Sequence, residues 1–256
     1  MLTAGKKLVF FKRDELLRGP QDDKKPIFNS LASCTTGILP PEDIMSRVVA
    51  IFDVDQTLVQ GYTERLFFRY LVRQNLISLP QALIFLGQLA RRPQGRFRDK
   101  RYLEGLQVEE VVRVARRCYQ EDIVPRVSAG GLACVLEHQA RGHAIALLSG
   151  SLSVLLTPLQ EELGADWLIA TELQRQDGKF TGEIAGLHPR GANKLSLLQE
   201  LSRTHDFDLS RSYAYADHIQ DSHLFRSIGH PVAVNPSWRL KLQARKHRRP
   251  IRYFKA

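Results

Sequence analysis

The sequence lacks any apolar run long enough to cross a lipid bilayer. A membrane-spanning helix needs about 20 consecutive apolar residues, whereas the nearest candidate, residues 82–89, is short and contains Gln88. Residues 1–13 contain too short an apolar run for a secretion signal. These absences predict a protein that has no transmembrane segment and is located in the cytoplasm.

Cysteine is also scarce, with three residues, Cys34, Cys118 and Cys134, in a chain of 256. An odd number of cysteines at wide spacing forms neither a disulfide framework nor the close pairs of a zinc site. We therefore expect buried thiols. The remaining composition, 43% hydrophobic, is sufficient for one α/β domain that carries an insertion.

Acidic residues are rare in two stretches of the chain, and the net charge is +10. Residues 91–101 contain six basic residues and one acid, and residues 239–255 contain eight basic residues and no acid. Such clusters can bind nucleic acid or an anionic membrane surface, although a solvated basic face is the more frequent explanation. Contact of the basic tail with an anionic surface is therefore a secondary prediction.

Three regions of the chain differ in their pattern. Residues 1–44 have scattered charge and repeated Gly and Pro, which is typical of a poorly specified N-terminal extension. Met45-Ser46-Arg47 leads into the first predicted strand, which makes Met45 an alternative translation start. Residues 62–124 have apolar spacing of three and four, which predicts a helical cap. We expect residues 45–61 and 125–256 to form an α/β core.

Within the core, short apolar runs alternate with helical patterns, which predicts an α/β fold with a Rossmann-like doubly wound parallel sheet. An Asp-Gly pair inside residues 173–184 predicts a β-hairpin. The predicted strands are 48–52, 144–148, 167–171, 212–216 and 232–234, and the predicted helices are 64–75, 80–91, 106–121, 124–142, 152–162 and 193–205.

Two carboxylates, Asp53 and Asp55, follow the first predicted strand, and Thr57 comes two residues later. The strand is continuously apolar, as in a parallel sheet covered on both faces, and such sheets bind ligands at the carboxyl ends of their strands. Two acids in one crevice are unfavourable unless a cation or phosphate chemistry occupies it. The alternative is a strand end with an acidic turn, since a D-x-D-x-T pattern arises by chance in roughly one chain in twenty or thirty of this length.

Small hydroxylated residues follow the second predicted strand at Ser149, Gly150 and Ser151. A strand-to-helix turn of this composition exposes N–H groups and a hydroxyl to an anion, but an ordinary helix cap explains it equally well. Further on, Lys194 lies in the first turn of a predicted helix. The helix dipole disfavours a cation there, so this lysine needs a local anion or points to water.

Asp217 and Asp221 form the last group, again after a short strand. Their spacing of four at the entry to a helix lets one carboxylate bind a hard cation while the other organises its surroundings. Helix capping by Asp217 is the structural alternative, but it leaves two acids at a strand end without a counter-charge.

Taken in order, these groups resemble the four motifs of the haloacid dehalogenase superfamily. The match runs over residues 48–253, and the motifs are Asp53-x-Asp55-x-Thr57, Ser149, Lys194, and Asp217 with Asp221. The helical insertion after the first motif, and the stretch 229–236 followed by a basic helix, are similar to the phosphoserine-phosphatase-like branch, subfamily IB.

The resemblance implies an Mg²⁺-dependent phosphatase that forms an aspartyl-phosphate. Asp53 would be the nucleophile, and Asp55 would protonate the leaving oxygen and then activate water. Lys194 would neutralise the charge shared by the nucleophile and the phosphoryl group. The implied phosphate-binding residues are Thr57, Ser149 and Gly150, and the implied metal ligands are Asp53, the Asp55 carbonyl and Asp217, with Asp221 supporting them.

Two positions depart from the family pattern. His218 stands where the family usually has Ser, which leaves open a changed metal affinity, a changed pH dependence or mere exposure to solvent. Tyr62 stands where true phosphoserine phosphatases carry the glutamate that binds the substrate amine, and Glu64 comes two residues late. Phosphoserine is therefore less favoured as the substrate without being excluded.

The predicted substrate is a small-molecule or lipid phosphate monoester. Phosphoserine hydrolysis and phosphotransfer to an alcohol other than water are the alternatives within this chemistry. From another class, the chain could be a basic protein that binds nucleic acid or a membrane surface on a decayed fold. The complete set of acids together with Lys194 argues against decay.

Overall fold

The computed structural model describes residues 11–12, 47–78 and 100–254, together with positions 80, 82, 83, 85 and 87. Most of the predicted extension 1–44, much of the predicted helix 80–91 and most of the basic cluster 91–101 lie outside the described residues. Cys118 and Cys134 are free and buried, as predicted. Among the described helices, none combines the length and the apolar character that crossing a bilayer requires.

The core of the protein is a mostly parallel β-sheet. Its strands are β1 (Phe11–Lys12), β2 (Val49–Phe52), β3 (Ala144–Leu152), β4 (Trp167–Gln176), β5 (Lys179–Ala185), β6 (Tyr213–Ala216), β7 (His230–Val234) and β8 (Ile251–Arg252). The order in the sheet is β1-β4-β3-β2-β6-β7-β8, and β5 pairs with β4. The six strands β4, β3, β2, β6, β7 and β8 are neighbours in the sheet and all pair in parallel. Strands β1 and β5 pair antiparallel with β4. The predicted parallel sheet is confirmed.

Helices cover both faces of this sheet. They are α1 (Thr63–Arg73), α2 (Val108–Cys118), α3 (Ala129–Ala140), α4 (Ser153–Leu163), α5 (Ala192–His205), α6 (Ser222–Ser227) and α7 (Trp238–Lys246). Strand β2 alternates between two apolar clusters because successive side chains point to opposite faces. Ala50 and Phe52 pack with residues of α1 to α4, whereas Val49 and Ile51 pack with residues of α5 to α7. The doubly wound arrangement is therefore confirmed.

The segment between β2 and β3 is helical in most of its described residues, but its boundaries differ from those predicted. Helix α2 ends at Cys118 and passes into a π-helix, Tyr119–Ile123. The predicted helix 124–142 is instead a 3₁₀ turn, Val124–Arg126, followed by α3. Pro125 lacks an N–H, and Ser128 starts a new helix by accepting a hydrogen bond from Gly131 N at 3.2 Å. The division into a cap at 62–124 and a core remains a prediction.

The predicted hairpin is present, and its first strand is longer than expected. Strand β4 continues from the sheet to Gln176, so one strand serves both the sheet and the hairpin with β5. Asp177 and Gly178 have φ angles of 50° and 74°. Positive φ at both central positions is the geometry that an Asp-Gly hairpin turn requires. The prediction of a strand ending at residue 171 was therefore too short.

Gly229 lets two chain segments approach closely before β7. Its N–H donates to Leu209 O at 2.9 Å, and the next residue, His230, donates to Ser212 O at 3.0 Å. A Cβ atom at position 229 would lie 1.6 Å from Ser210 O. The backbone of residues 209–212 therefore occupies the space of any side chain at this position.

We predict that Gly229→Ala lowers the free energy of unfolding by ~2 kcal/mol or more, since the backbone must shift to admit the methyl group. Urea denaturation followed by circular dichroism measures the change. Gly87→Ala is the matched control, because Gly87 is helical and a Cβ there meets nothing within 4 Å; its stability should be unchanged or slightly raised. Equal stability of the two variants would contradict the predicted close contact.

A buried histidine of α3, His138, packs against the central strands β2 and β6. His138 Nδ1 is 2.8 Å from His143 Nδ1, and His138 Nε2 is 2.8 Å from the Tyr215 hydroxyl. The Tyr215 ring in turn stacks on Phe52 with a centroid distance of 4.6 Å. Burial, and then the neighbouring His143, lower the pKa of His138 to about 4. The native state therefore holds His138 neutral at a pH where the unfolded chain protonates it.

Stability should consequently fall as the pH drops from about 6.5 towards 4, because the unfolded state binds the proton that native His138 refuses. The loss from this group is at most ~3 kcal/mol. Chemical denaturation of His138→Gln across this range should give a shallower pH dependence than the wild type. The exposed control His247→Gln should retain the wild-type slope; identical slopes in all three proteins would refute the assignment.

Candidate active site

The predicted catalytic residues converge at the carboxyl edge of the sheet. Strand β2 lies between β3 and β6, and its Phe52 pairs with Leu147 on one side and Tyr215 on the other. Asp53 follows directly and donates its backbone N–H to Tyr215 O at 2.9 Å. Because all three strands run in the same direction, Ser149 and Asp217 emerge at the same edge as Asp53.

The side chain of Lys194 crosses to this edge from the first turn of α5. Its Nζ lies 2.6 Å from Asp53 Oδ1 and 3.0 Å from Asp221 Oδ1, and the lysine is buried. Burial by itself would lower the pKa of Lys194, but the carboxylates of Asp53 and Asp221 outweigh it and raise the pKa above its usual value. Lys194 thus has the local anions that its place in the helix requires.

Three carboxylates crowd the same small volume. One oxygen from each of Asp53, Asp217 and Asp221 lies within 4.8 Å of the others. Burial, together with Asp221, raises the pKa of Asp53 to about 7 although Lys194 opposes the shift. Burial and the charges of Asp53 and Asp221 raise the pKa of Asp217 to about 8. Lys194 balances one of three negative charges, so the cluster favours an additional cation.

The second aspartate of the first motif has a different environment. Asp55 Oδ1 accepts hydrogen bonds from Thr63 N at 2.9 Å and Thr63 Oγ1 at 2.8 Å, and Oδ2 accepts one from Ser151 Oγ at 2.7 Å. The two hydroxyls also lie 2.7 Å from each other. Burial raises the pKa of Asp55 while these donors oppose the shift. Asp55 therefore faces neutral donors, whereas Asp53 faces an ammonium.

Neither Thr63 nor Ser151 was predicted to bind Asp55, and Ser151 entered the sequence prediction only as part of the small-residue stretch after the second strand. Ser151 is two residues after Ser149 on an extended segment, and this spacing returns a side chain to the same face of a strand. Thr63 is the first residue of α1, where a hydroxylated residue is normally explained as a helix cap. A period-two pattern of serines was the available signal for Ser151; Thr63 had none.

The predicted phosphate-binding residues lie close to these groups along the chain. Strand β3 continues to Leu152, although its pairing with β4 is irregular between Leu148 and Leu152. Ser149 and Gly150 therefore belong to this irregular stretch and not to a turn, because α4 begins only at Ser153. The expected strand-to-helix turn at Ser149 was wrong in that detail.

Each phosphate-binding candidate has a distinct set of contacts. Ser149 is buried, and its Oγ accepts a hydrogen bond from Ser151 N at 3.1 Å. The Gly150 carbonyl accepts one from Thr171 Oγ1 at 2.7 Å. Thr57 is fully buried, and its hydroxyl has no hydrogen-bond partner within the described part of the chain. The assignment of Thr57 to the phosphate site therefore remains a prediction.

The His218 side chain binds the backbone of the residues that follow it. Its Nδ1 accepts a hydrogen bond from Gln220 N at 3.2 Å and caps the 3₁₀ turn Ile219–Asp221. Burial lowers the pKa of His218. The ring thus caps the short turn that contains Asp221.

Charged groups from the helical segment and the β5–α5 loop flank the cluster. Tyr62 is exposed, whereas the Glu64 carboxylate binds the buried Lys100 ammonium and accepts a hydrogen bond from the Tyr102 hydroxyl at 3.1 Å. Burial lowers the pKa of Arg190 although the charges of Asp221 and Glu64 oppose the shift, and Arg190 Nε donates a hydrogen bond to Gln220 Oε1 at 3.0 Å. Neither Lys100 nor Arg190 was predicted as a site residue; Arg190 lies four residues before Lys194 in the chain.

Comparisons with known proteins identify the family of this chain. Residues 50–226 match the family described as haloacid dehalogenase-like hydrolase. A relative from Streptomyces azureus, "Inhibition of morphological differentiation protein", is 30% identical over 222 residues, which is 82% of this chain and 79% of the relative. "Phosphoserine phosphatase SerB1" of Mycobacterium tuberculosis (strain ATCC 25618 / H37Rv) is 29% identical over 227 residues, covering 84% and 73% of the two chains.

A further relative and a solved structure also resemble this chain. "Histidinol-phosphatase" of Neisseria meningitidis serogroup C (strain 8013) is 27% identical over 219 residues, 81% of this chain and 99% of the relative. The crystal structure of a protein of unknown function from Bordetella pertussis Tohama I superposes with a TM-score of 0.73 at 24% identity, covering 81% and 98% of the two chains. The structural likeness concerns the fold alone. The chain therefore belongs to the haloacid dehalogenase-like hydrolase family, among the phosphatases that resemble phosphoserine phosphatase.

Proposed function

We propose that this phosphatase is an Mg²⁺-dependent phosphomonoesterase in which Asp53 forms a covalent aspartyl-phosphate. The observation that carries the proposal is the contrast between two neighbouring aspartates. Asp53 is held at 2.6 Å by the Lys194 ammonium, whereas Asp55 is held by the neutral donors of Thr63 and Ser151. Different environments for two carboxyl groups are what separate nucleophilic and acid–base roles.

In the proposed first step, the Asp53 oxygen that is not bound to Lys194 attacks the phosphorus atom. A bond forms between Asp53 and phosphorus, the bond between phosphorus and the ester oxygen breaks, and Asp55 gives its proton to the leaving alcohol oxygen. The Thr63 and Ser151 hydroxyls can bond each other, because they lie 2.7 Å apart. If the Ser151 hydroxyl rotates to donate to Thr63 Oγ1 instead of to Asp55 Oδ2, that Asp55 oxygen is free to carry the proton.

In the proposed second step, Asp55 takes a proton from water as the water oxygen attacks phosphorus. The bond from Asp53 to phosphorus breaks, inorganic phosphate leaves, and both aspartates return to their initial states. Lys194 would hold Asp53 Oδ1 in place throughout and neutralise negative charge near the phosphoryl group. Preorganised charge of this kind is commonly the largest contribution to catalysis.

The donor set fits Mg²⁺. Asp53, Asp217 and Asp221 supply oxygen atoms within 4.8 Å of one another, and hard divalent cations prefer oxygen ligands. We propose Asp53, the Asp55 carbonyl and Asp217 as ligands, with Asp221 supporting them from its 3.0 Å contact with Lys194. When bound, the ion would supply positive charge to the phosphoryl oxygens.

Thr57, Ser149 and Gly150 are the proposed contacts of the phosphate oxygens. The Ser149 hydroxyl accepts a bond from Ser151 N, which leaves its own proton available to donate. The buried Thr57 hydroxyl has no partner among the described residues, and a buried group of this kind is stabilised by a bound acceptor. Both features support anion binding.

A small phosphate monoester is the proposed substrate class, with a lipid phosphate as a second member. Phosphoserine is disfavoured, because its ammonium group would compete with Lys100 and Tyr102 for Glu64. The relatives named for phosphoserine and histidinol phosphate differ in substrate, so their names select none for this chain. A cytoplasmic location and the contact of the basic tail with an anionic surface remain predictions of the sequence.

Hydrolysis and phosphotransfer are separated by product analysis. Phosphate release from a panel that includes phosphoserine, histidinol phosphate and a lysophospholipid phosphate would rank the substrates. Addition of an alcohol would divert the phosphoryl group if transfer is the function. Glu64→Gln should leave the ranking unchanged if Glu64 is reserved for Lys100, whereas a selective loss of phosphoserine hydrolysis would restore that substrate.

We predict that Asp53→Asn lowers Mg²⁺-dependent hydrolysis of p-nitrophenyl phosphate by at least ~10³-fold, since the amide is a poor nucleophile. Acid trapping with radiolabelled substrate should detect a phosphoenzyme in the wild type and none in the variant. Asp177→Asn is the matched control, because Asp177 lies in the exposed hairpin turn, where Asn tolerates the positive φ angle. Mg²⁺-dependent activity that persists in Asp53→Asn would overturn the covalent mechanism.

We also predict that Thr63→Val lowers kcat by about 10–100-fold with a small change in KM, because Asp55 loses a donor that orients it. Thr63→Ser keeps the hydroxyl and should retain most of the activity. Steady-state kinetics on both variants, with circular dichroism as a folding control, provide the measurement. A Thr63→Val enzyme with wild-type kcat would show that this contact has no part in positioning Asp55.

A further inference from the structure

One exposed face near the C-terminal end of the described chain combines apolar and basic side chains. On α7, Leu240 and Ala244 are buried against the sheet, whereas Trp238 and Leu242 are 71% and 65% exposed. Their spacing of four places these two on the same side of the helix. Tyr253, 57% exposed, extends this surface. We call the set Trp238, Arg239, Lys241, Leu242 and Tyr253 the tail face.

Cations lie between the apolar members of the tail face. The Arg239 guanidinium carbon is 5.1 Å from the centroid of the Trp238 ring. Lys241 Nζ is 5.8 Å from the centroid of the Tyr253 ring. Lys241 thereby links Tyr253 to the helix. The apolar side chains and the charges thus form one mixed surface.

Positive charge around the tail face is largely uncompensated. Residues 238–254 contain seven basic residues and no acid. Within the part of the chain that the structure describes, Arg252 alone among the seven has an ion pair, at 3.9 Å from Glu137. A surface of this composition attracts an anionic partner.

The tail face begins beside the proposed active site. Ser237, the residue before α7, donates its backbone N–H to Asp217 O at 2.9 Å, and the Asn235 side chain donates to Gln56 O at 3.1 Å. The start of α7 is therefore fixed to the loops that carry Asp55 and Asp217. A partner bound at Trp238 would lie next to the carboxyl edge of the sheet.

We propose that the tail face docks on an anionic lipid bilayer. Trp238 and Tyr253 belong to the residue types that favour the boundary between headgroups and acyl chains, and Leu242 would bury its exposed side chain there. The basic residues would contact lipid phosphates. Single-stranded nucleic acid uses phosphate contacts and aromatic stacking, and neither gives a role to Leu242. The bilayer is thus the occupant that uses the whole face.

The proposal does not depend on the phosphatase chemistry, because no tail-face residue has a role in the proposed catalytic steps. Docking would nonetheless turn the site towards the bilayer surface. The tryptophans also offer a specific signal, since the chain has two and the other, Trp167, is buried. A blue shift of the fluorescence on binding would therefore report Trp238.

The test is co-sedimentation of the full-length protein with vesicles of phosphatidylcholine alone or with 30% phosphatidylglycerol. The wild type should bind the anionic vesicles, bind less as salt rises from 50 to 500 mM, and give the blue shift. Trp238→Ser/Leu242→Ser should bind at least tenfold more weakly while hydrolysing p-nitrophenyl phosphate as the wild type does. The control Leu136→Ser, which changes an exposed leucine of α3, should bind normally.

Three results would overturn the proposal: no binding of the wild type to anionic vesicles, equal binding of the double variant and the wild type, or binding of single-stranded oligonucleotides without vesicle binding. Asp53→Asn should retain vesicle binding. A failure of docking is therefore distinguishable from a failure of the phosphatase mechanism, which is measured on a soluble substrate.

Discussion

The contact between Asp53 and Lys194 is the interaction on which the rest of the site depends. It joins the end of the central strand to the first turn of α5 and places a buried ammonium among buried carboxylates. Without Lys194, Asp53 and Asp221 would repel each other in a volume that excludes water, and burial would force protonation. Because one lysine faces three aspartates, the cluster keeps a net negative charge that suits a divalent cation. The proposed metal-dependent chemistry depends on this excess of negative charge.

The environment of Asp55 connects the helical segment to the sheet edge. Thr63 opens α1, and its backbone N–H and hydroxyl both reach the same carboxylate oxygen. The orientation of the proposed acid–base group therefore depends on where α1 begins. Glu64, the next residue, is bound by Lys100. The first turn of α1 therefore both orients Asp55 and carries charged groups close to it along the chain. In the proposed mechanism, the group that transfers the proton and the acid that bears on substrate choice therefore both depend on the first turn of α1.

Much of the fold was predictable because its signals are local. A continuous apolar run identifies β2 as a strand buried on both faces, and an Asp-Gly pair identifies the hairpin turn. The order of the motifs led to the family that the comparisons confirm. The boundaries were less predictable: β4 runs on into the hairpin, and α2 passes into a π-helix, because pairing and packing with distant segments decide where an element ends.

The sequence by itself determined which residues could carry the chemistry, since the residue types and their places after apolar strands are written in the chain. Only the tertiary structure decided their partners. It assigns Lys194 to Asp53 and Asp221, Thr63 and Ser151 to Asp55, and Lys100 to Glu64, over separations of up to 141 residues. The physical reason is that side-chain electrostatics act over a few ångströms of space, and sheet register, which local sequence does not encode, sets those distances.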